Sequence, residues 1–215
     1  MEQRNNNNAK ELRTFTGSVE IRKNTDGTES RTIEGYGVVF DSWSHDLGYF
    51  KEKVSRTAFD GVDFSDVVAT FNHDFNMVMA RTSSKTLKLT VDDKGLKYSF
   101  DAPKTTAGND LLENIRNGNI VGSSFMFNIK EQKWTWKEGN VEIDEREIVK
   151  VDRLYELGPV TMPAYPDTTA ALRDYESAKE EYEKEKTQAT EEPIQVSDDK
   201  KALRMKIRIS KAKHK

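Results

Sequence analysis

Among the three histidines of this 215-residue chain, one has neighbours that could put an imidazole to work. His73 lies in Asn72-His73-Asp74, between two apolar runs at 67–71 and 77–82 that read as short strands, so it sits where a strand gives way to a turn. His45 falls in an irregular stretch and His214 in a basic tail. An imidazole held at such a turn is a candidate general base, and the plainer alternative is a polar turn residue. Asp74 beside it raises a metal site, but two adjacent ligands without another histidine nearby make a poor set. There is no cysteine, which removes thiol nucleophiles, cysteine-based zinc sites and disulfides together. The base therefore needs a hydroxyl to activate.

Gly122-Ser123-Ser124-Phe125-Met126-Phe127 offers one. Strand alternation puts Ser123, Phe125 and Phe127 on one face and Ser124, Met126 and Asn128 on the other. The aromatic face belongs to a core, which leaves Ser124 pointing toward whatever cleft the strand borders. A serine hydroxyl is a weak nucleophile until a neighbouring base takes its proton, so a Ser-His pair within hydrogen-bond reach is the minimum requirement. A purely structural serine is the competing reading. A third group would orient the imidazole and stabilise its charged form. Glu156, in Leu154-Tyr155-Glu156-Leu157, is the leading candidate, because a carboxylate in an apolar strand needs a partner. Asp144, Glu147 and Asp152 compete with it, and an ordinary ion pair with Arg153 or a lysine is its alternative role.

These residues must be positioned by short strands. Residues 12–22 alternate, Asn24-Thr25-Asp26-Gly27 turns, and 33–40 returns, with Gly35-Tyr36-Gly37 marking a bulge or bend. Leu87, Leu89 and Val91 alternate into the turn Asp92-Asp93-Lys94-Gly95, and Leu96, Tyr98 and Phe100 alternate back as a hairpin. Leu111, Leu112 and Ile115 predict a one-sided helix over 109–117, closed by Gly118. A strand follows over 120–129, Trp134 and Trp136 share a strand face, Glu138-Gly139-Asn140 turns, and 141–157 is extended. Many short strands with few helices predict a mainly β, α+β fold: a barrel or sandwich with helical additions.

Hydrophobic residues make up 35% and charged residues 33% of the chain, and the mean hydropathy is -0.81, more polar than a compact domain needs. The C-terminal part accounts for the excess. Residues 170–186 predict a charged helix, 187–199 a linker, and 200–215 hold eight Lys or Arg with no acid. The organisation expected is a disordered leader over 1–11, one domain over 12–173, and a charged extension over 174–215. Net charge is -3, so nucleic acid is not an expected partner of the chain as a whole, although the basic stretch could bind an acidic partner. No apolar run reaches membrane-spanning length and no signal peptide is read, which predicts a protein made in the cytosol.

Taken in order, Ile33-Glu34-Gly35-Tyr36-Gly37-Val38-Val39-Phe40, Ala58-Phe59, Phe71-Asn72-His73-Asp74 with Arg81-Thr82, Thr86-Leu87 with Gly95-Leu96, Ser124-Phe125-Met126-Phe127, and Glu156 with Val160-Thr161-Met162-Pro163-Ala164-Tyr165-Pro166 resemble the prohead protease family of tailed bacteriophages. These are serine peptidases related to the herpesvirus assemblins, and the resemblance runs over 15–173. It implies an assemblin-like β-barrel, with His73 as base, Ser124 as nucleophile and Glu156 as third member, and no cofactor. Implied substrates are scaffold and major capsid protein extensions inside the assembling prohead, in the host cytoplasm, and also the protease itself; self-association is possible. Ala80 stands where the family often has Gly, and Glu156-Leu157-Gly158-Pro159 replaces a commoner Glu-Val-Ser. Gly158 or Gly122 would allow close approach near an oxyanion. The rival readings are an inactive assembly factor of the same fold and an unrelated β-rich domain binding nucleic acid through its basic end.

Overall fold

The apolar-polar alternation of the sequence becomes eleven strands and two helices in the computed structural model, which describes residues 2–4, 10–16, 19–138, 142–161 and 168–191. The strands are β1 (Glu2–Arg4), β2 (Glu11–Thr16), β3 (Val19–Lys23), β4 (Glu29–Val39), β5 (Phe50–Val54), β6 (Val68–Phe71), β7 (Asp74–Arg81), β8 (Leu87–Val91), β9 (Gly95–Asp101), β10 (Gly122–Thr135) and β11 (Asp144–Val160). The helices are α1 (Thr106–Arg116) and α2 (Thr168–Glu191). The fold is mainly β, as expected. One compact unit covers Met1–Asp174 and a second covers Tyr175–Lys215. The expected Glu138-Gly139-Asn140 turn, the Met162 to Pro166 end of the family pattern and the basic stretch fall wholly or mostly outside the described residues. The helix expected at 170–186 extends to Glu191, into the start of the expected linker.

Two sheets enclose the core of the first unit. The smaller runs β3-β4-β9-β8, and the larger runs β1-β10-β11-β6-β7, with β2 also on β10 and β5 also on β11. The hairpin β8–β9 turns because the Asp92 carboxylate accepts the N–H groups of Lys94 and Gly95 at 2.8 and 3.0 Å. The bulge expected near Gly37 is present as a register shift between Tyr36 and Val38. Helix α1 starts earlier than its apolar spacing predicts because Thr105 caps it, accepting the Gly108 N–H at 3.2 Å. Phe125, Phe127, Leu154 and Leu157 from the large sheet meet Ile33, Val38, Leu96 and Tyr98 from the small one, all fully buried or nearly so. Truncating one such leucine to alanine costs roughly 2–5 kcal/mol, which makes this the main source of the unit's stability.

The leader expected to be disordered over 1–11 is instead partly paired. Glu2–Arg4 lie antiparallel to 131–133, and β2 runs antiparallel to 122–127, both on the side of β10 away from β11. An unpaired outer edge of β10 would leave a row of backbone donors and acceptors without partners, and these two strands satisfy them. Side-chain chemistry fixes β2 further. Arg146, fully buried, takes both carboxylate oxygens of Glu11 at 2.9 Å, Asp174 at 2.5 Å and the Gln132 side-chain oxygen at 2.7 Å. Arg13 pairs with Glu52 and reaches Glu11 at 2.5 Å. Burial pushes the Glu11 carboxyl up, but the two guanidiniums outweigh it and leave it at about 2. For Asp174 burial dominates and holds the carboxyl above its usual value despite Arg146.

Candidate active site

His73 is presented by a turn of two residues. Phe71 and Asp74 pair as the last residues of β6 and the first of β7, and between them Asn72 and His73 have φ of 55° and 59°. A two-residue hairpin of type I′ needs positive φ at both central positions, and Asn and His are among the few non-glycine residues that tolerate it. Each such residue costs on the order of 1 kcal/mol, so the turn needs support from its surroundings. Asn72 provides it. Its N–H donates to the Pro159 carbonyl at 3.1 Å, its side-chain oxygen accepts the Thr161 N–H at 2.8 Å, and its amide nitrogen donates to the Thr161 hydroxyl at 2.8 Å. The tip of the β6–β7 hairpin is thereby tied to the end of β11, the strand that carries Glu156.

Ser124 and Glu156 lie on neighbouring strands, since Ser124 pairs with Gly158 and Met126 with Glu156 across β10 and β11. The alternation expected from the sequence is observed: Phe125 and Phe127 enter the core, and Ser123 turns the same way to meet the Tyr98 hydroxyl at 2.9 Å. Ser124 faces the other side. Its Oγ is 2.7 Å from His73 Nε2, and His73 Nδ1 is 2.7 Å from Glu156 Oε2. The second carboxylate oxygen accepts from the Thr70 hydroxyl at 2.8 Å. An ionised Glu156 can only accept, so Nδ1 carries a proton toward it and Nε2 is left to receive one from Ser124. The result is a continuous line from carboxylate to imidazole to hydroxyl, with Glu156 and Ser124 buried and the His73 side chain 18% exposed.

The competing acids stand elsewhere. Asp144 accepts the Lys137 N–H at 2.5 Å, Glu147 pairs with Lys53 at 3.6 Å, and Asp152 is exposed. Arg153 lies over the Tyr155 ring, 4.9 Å from its centroid, rather than pairing with Glu156. Asp74 accepts from the Asn76 N–H and side-chain amide at 2.8 and 2.9 Å within its own turn, and among the described residues no cluster of His, Asp and Glu could hold a metal. Gly158 permits a close approach of backbone. A Cβ there would lie 2.1 Å from the Thr70 carbonyl oxygen, so the glycine admits the backbone of β6 beside β11. Gly122 is enclosed between Val160 and Thr16.

Thr70 and Asn72 were missed in the sequence. Asn72, directly before a histidine between two strand-like runs, was the available signal for a positive-φ turn. Thr70 gave none, because its contact depends on β6 lying parallel to β11 with Val68 opposite Glu156. Burial raises the Tyr98 phenol far above its ordinary value, so that side chain remains a neutral hydrogen-bonding group behind Ser123.

A solved structure of the bacteriophage T4 capsid assembly protease, gp21, is similar over 70% of this chain and 96% of that one, with 12% identity and a TM-score of 0.42. Comparison with the curated proteins gave no match. The model of the caudovirus prohead serine protease family matches residues 17–184, which hold β3 through β11 and all three residues of the hydrogen-bonded line, and the chain belongs to that family.

Proposed function

We propose that the chain is a serine endopeptidase of capsid maturation in which Ser124 is the nucleophile, His73 the general base and Glu156 the group that orients and stabilises the imidazole. The observation that carries this reading is the unbroken pair of 2.7 Å contacts joining Glu156, His73 and Ser124. As Ser124 Oγ attacks a peptide carbonyl carbon, its proton passes to His73 Nε2, and the imidazolium is held by Glu156 through Nδ1. Collapse of the tetrahedral intermediate breaks the C–N bond, and His73 returns the proton to the leaving amine. Water, deprotonated by His73, then attacks the acyl-enzyme ester and releases the acid product with Ser124 restored. Membership of the prohead protease family supports scaffold and capsid-protein extensions as substrates, inside the prohead in the host cytoplasm, with self-cleavage as a further reaction.

Co-expression with the cognate capsid and scaffold proteins, read by intact mass, tests the proposal. Processed capsid protein is expected with the wild type and with Ser123→Ala, and full-length protein with Ser124→Ala. Closed shells with uncut protein in every case would favour an assembly factor of the same fold.

A further inference from the structure

The Ser124 hydroxyl has one proton and two acceptors. His73 Nε2 lies 2.7 Å from Oγ, and the backbone carbonyl of Arg13 lies 2.8 Å away on β2. Only transfer to His73 leads to chemistry. Ser124 also has no exposed surface, so no incoming carbonyl reaches Oγ while β2 is seated. Strand β2 pairs with β10 from Gly122 opposite Thr16 to Phe127 opposite Glu11, which is how an extended peptide adds to a sheet edge. It sets a peptide carbonyl against the nucleophile, and it precedes the segment matched by the family, residues 17–184.

We propose that β2 is an intramolecular stand-in for substrate: it occupies the edge of β10 that an extended substrate peptide takes, and it holds the protease latent until displaced. The proposal rests on Ser124 being the nucleophile. The ion network allows the exchange. Glu11 and Arg13 both belong to β2, so they leave as a neutral pair and the charge of the remaining network does not change. Arg146 keeps Asp174 at 2.5 Å and Glu52 at 3.4 Å. The vacated edge then offers its backbone groups between Gly122 and Phe127 to the arriving peptide, and the hydroxyl proton of Ser124 is left with His73.

The test locks β2 in place. Leu12 and Met126 are directly opposed, the chain has no cysteine, and opposed antiparallel residues have Cα atoms about 4.5–5.5 Å apart, within disulfide reach. The full-length Leu12→Cys, Met126→Cys variant is treated with a fluorophosphonate in oxidised and reduced forms, with the disulfide verified by intact mass. The oxidised form is expected to label at Ser124 at least about tenfold more slowly than the reduced form, because the competent state is withdrawn. A second variant, Glu11→Arg, sets a third guanidinium against Arg13 and Arg146, unseats β2 and labels faster than the wild type. Equal rates for the oxidised and reduced forms overturn the proposal, as does a folded Glu11→Arg that labels no faster. Absence of a Ser124 adduct from every folded form contradicts instead the serine-nucleophile reading, and this proposal goes with it.

Discussion

Strands β10 and β11 carry two polar clusters built to opposite ends. Toward one end Ser124 and Glu156 meet His73 in a line of three, with the imidazole partly open to solvent and a proton able to move between Oγ and Nε2. Toward the other, Gln132 and Arg146 join Glu11, Arg13, Glu52 and Asp174 in a buried network whose charges are mutually paired. In the first cluster, function needs a group whose hydrogen-bond partner changes. In the second, stability needs every buried charge to keep a partner, because an unpaired buried charge costs several kcal/mol. Strand β2 belongs to both, with the Arg13 guanidinium in the network and the Arg13 carbonyl on Ser124.

Mutations should separate the clusters. The largest effect is expected from His73→Ala, which in the proposed mechanism removes the base and lowers the rate of capsid-protein processing by about 10⁶-fold. Its urea midpoint should fall less than that of Arg146→Met, since Thr70 still donates to the Glu156 carboxylate that loses its histidine. A large fall in that midpoint would assign His73 a structural role. Arg146→Met should do the reverse and destabilise the fold by roughly 3–5 kcal/mol in chemical denaturation, because it strands buried carboxylates. A near-neutral result would mean that the network contributes little.

Acid tests the same contrast. The Glu11 carboxyl is held at about 2 in the folded chain, below its ordinary value of 4.5, so its contribution is fully present above that ordinary value and is lost as pH falls toward 2. Replacing Glu11 by Gln should flatten the loss of stability across that window, and an unchanged acid-unfolding profile would count against the assignment. The smallest effect is expected from Ser123→Ala. It leaves the buried Tyr98 hydroxyl without its 2.9 Å partner and should cost about 1–2 kcal/mol while the chemistry at Ser124 persists.

The site was more legible in the sequence than the network was. Local pattern revealed the hydrophobic face of Phe125 and Phe127, hence the opposite face for Ser124, and the turn that presents His73. A lone acid among Leu154, Tyr155 and Leu157 pointed to Glu156. Arg13, Glu52 and Arg146 read as ordinary solvated charges in a chain that is one-third charged, and nothing local announces that they converge. Their meeting depends on pairings between segments 39 to 135 residues apart in the chain. A disordered leader was expected over 1–11, yet the edge of β10 pairs with Glu2–Arg4 and with β2. Gly158 or Gly122 was expected to allow close approach, and at Gly158 the backbone that approaches is that of Thr70 on β6.

The central claim is that Glu156, His73 and Ser124 act as one chemical unit. Fluorophosphonate labelling of the wild type and of His73→Ala, taken to completion and followed by peptide mass mapping, tests it most directly. The account predicts a single adduct on Ser124 in the wild type and none in His73→Ala. An adduct on another residue, or equal labelling of Ser124 without the histidine, would contradict it.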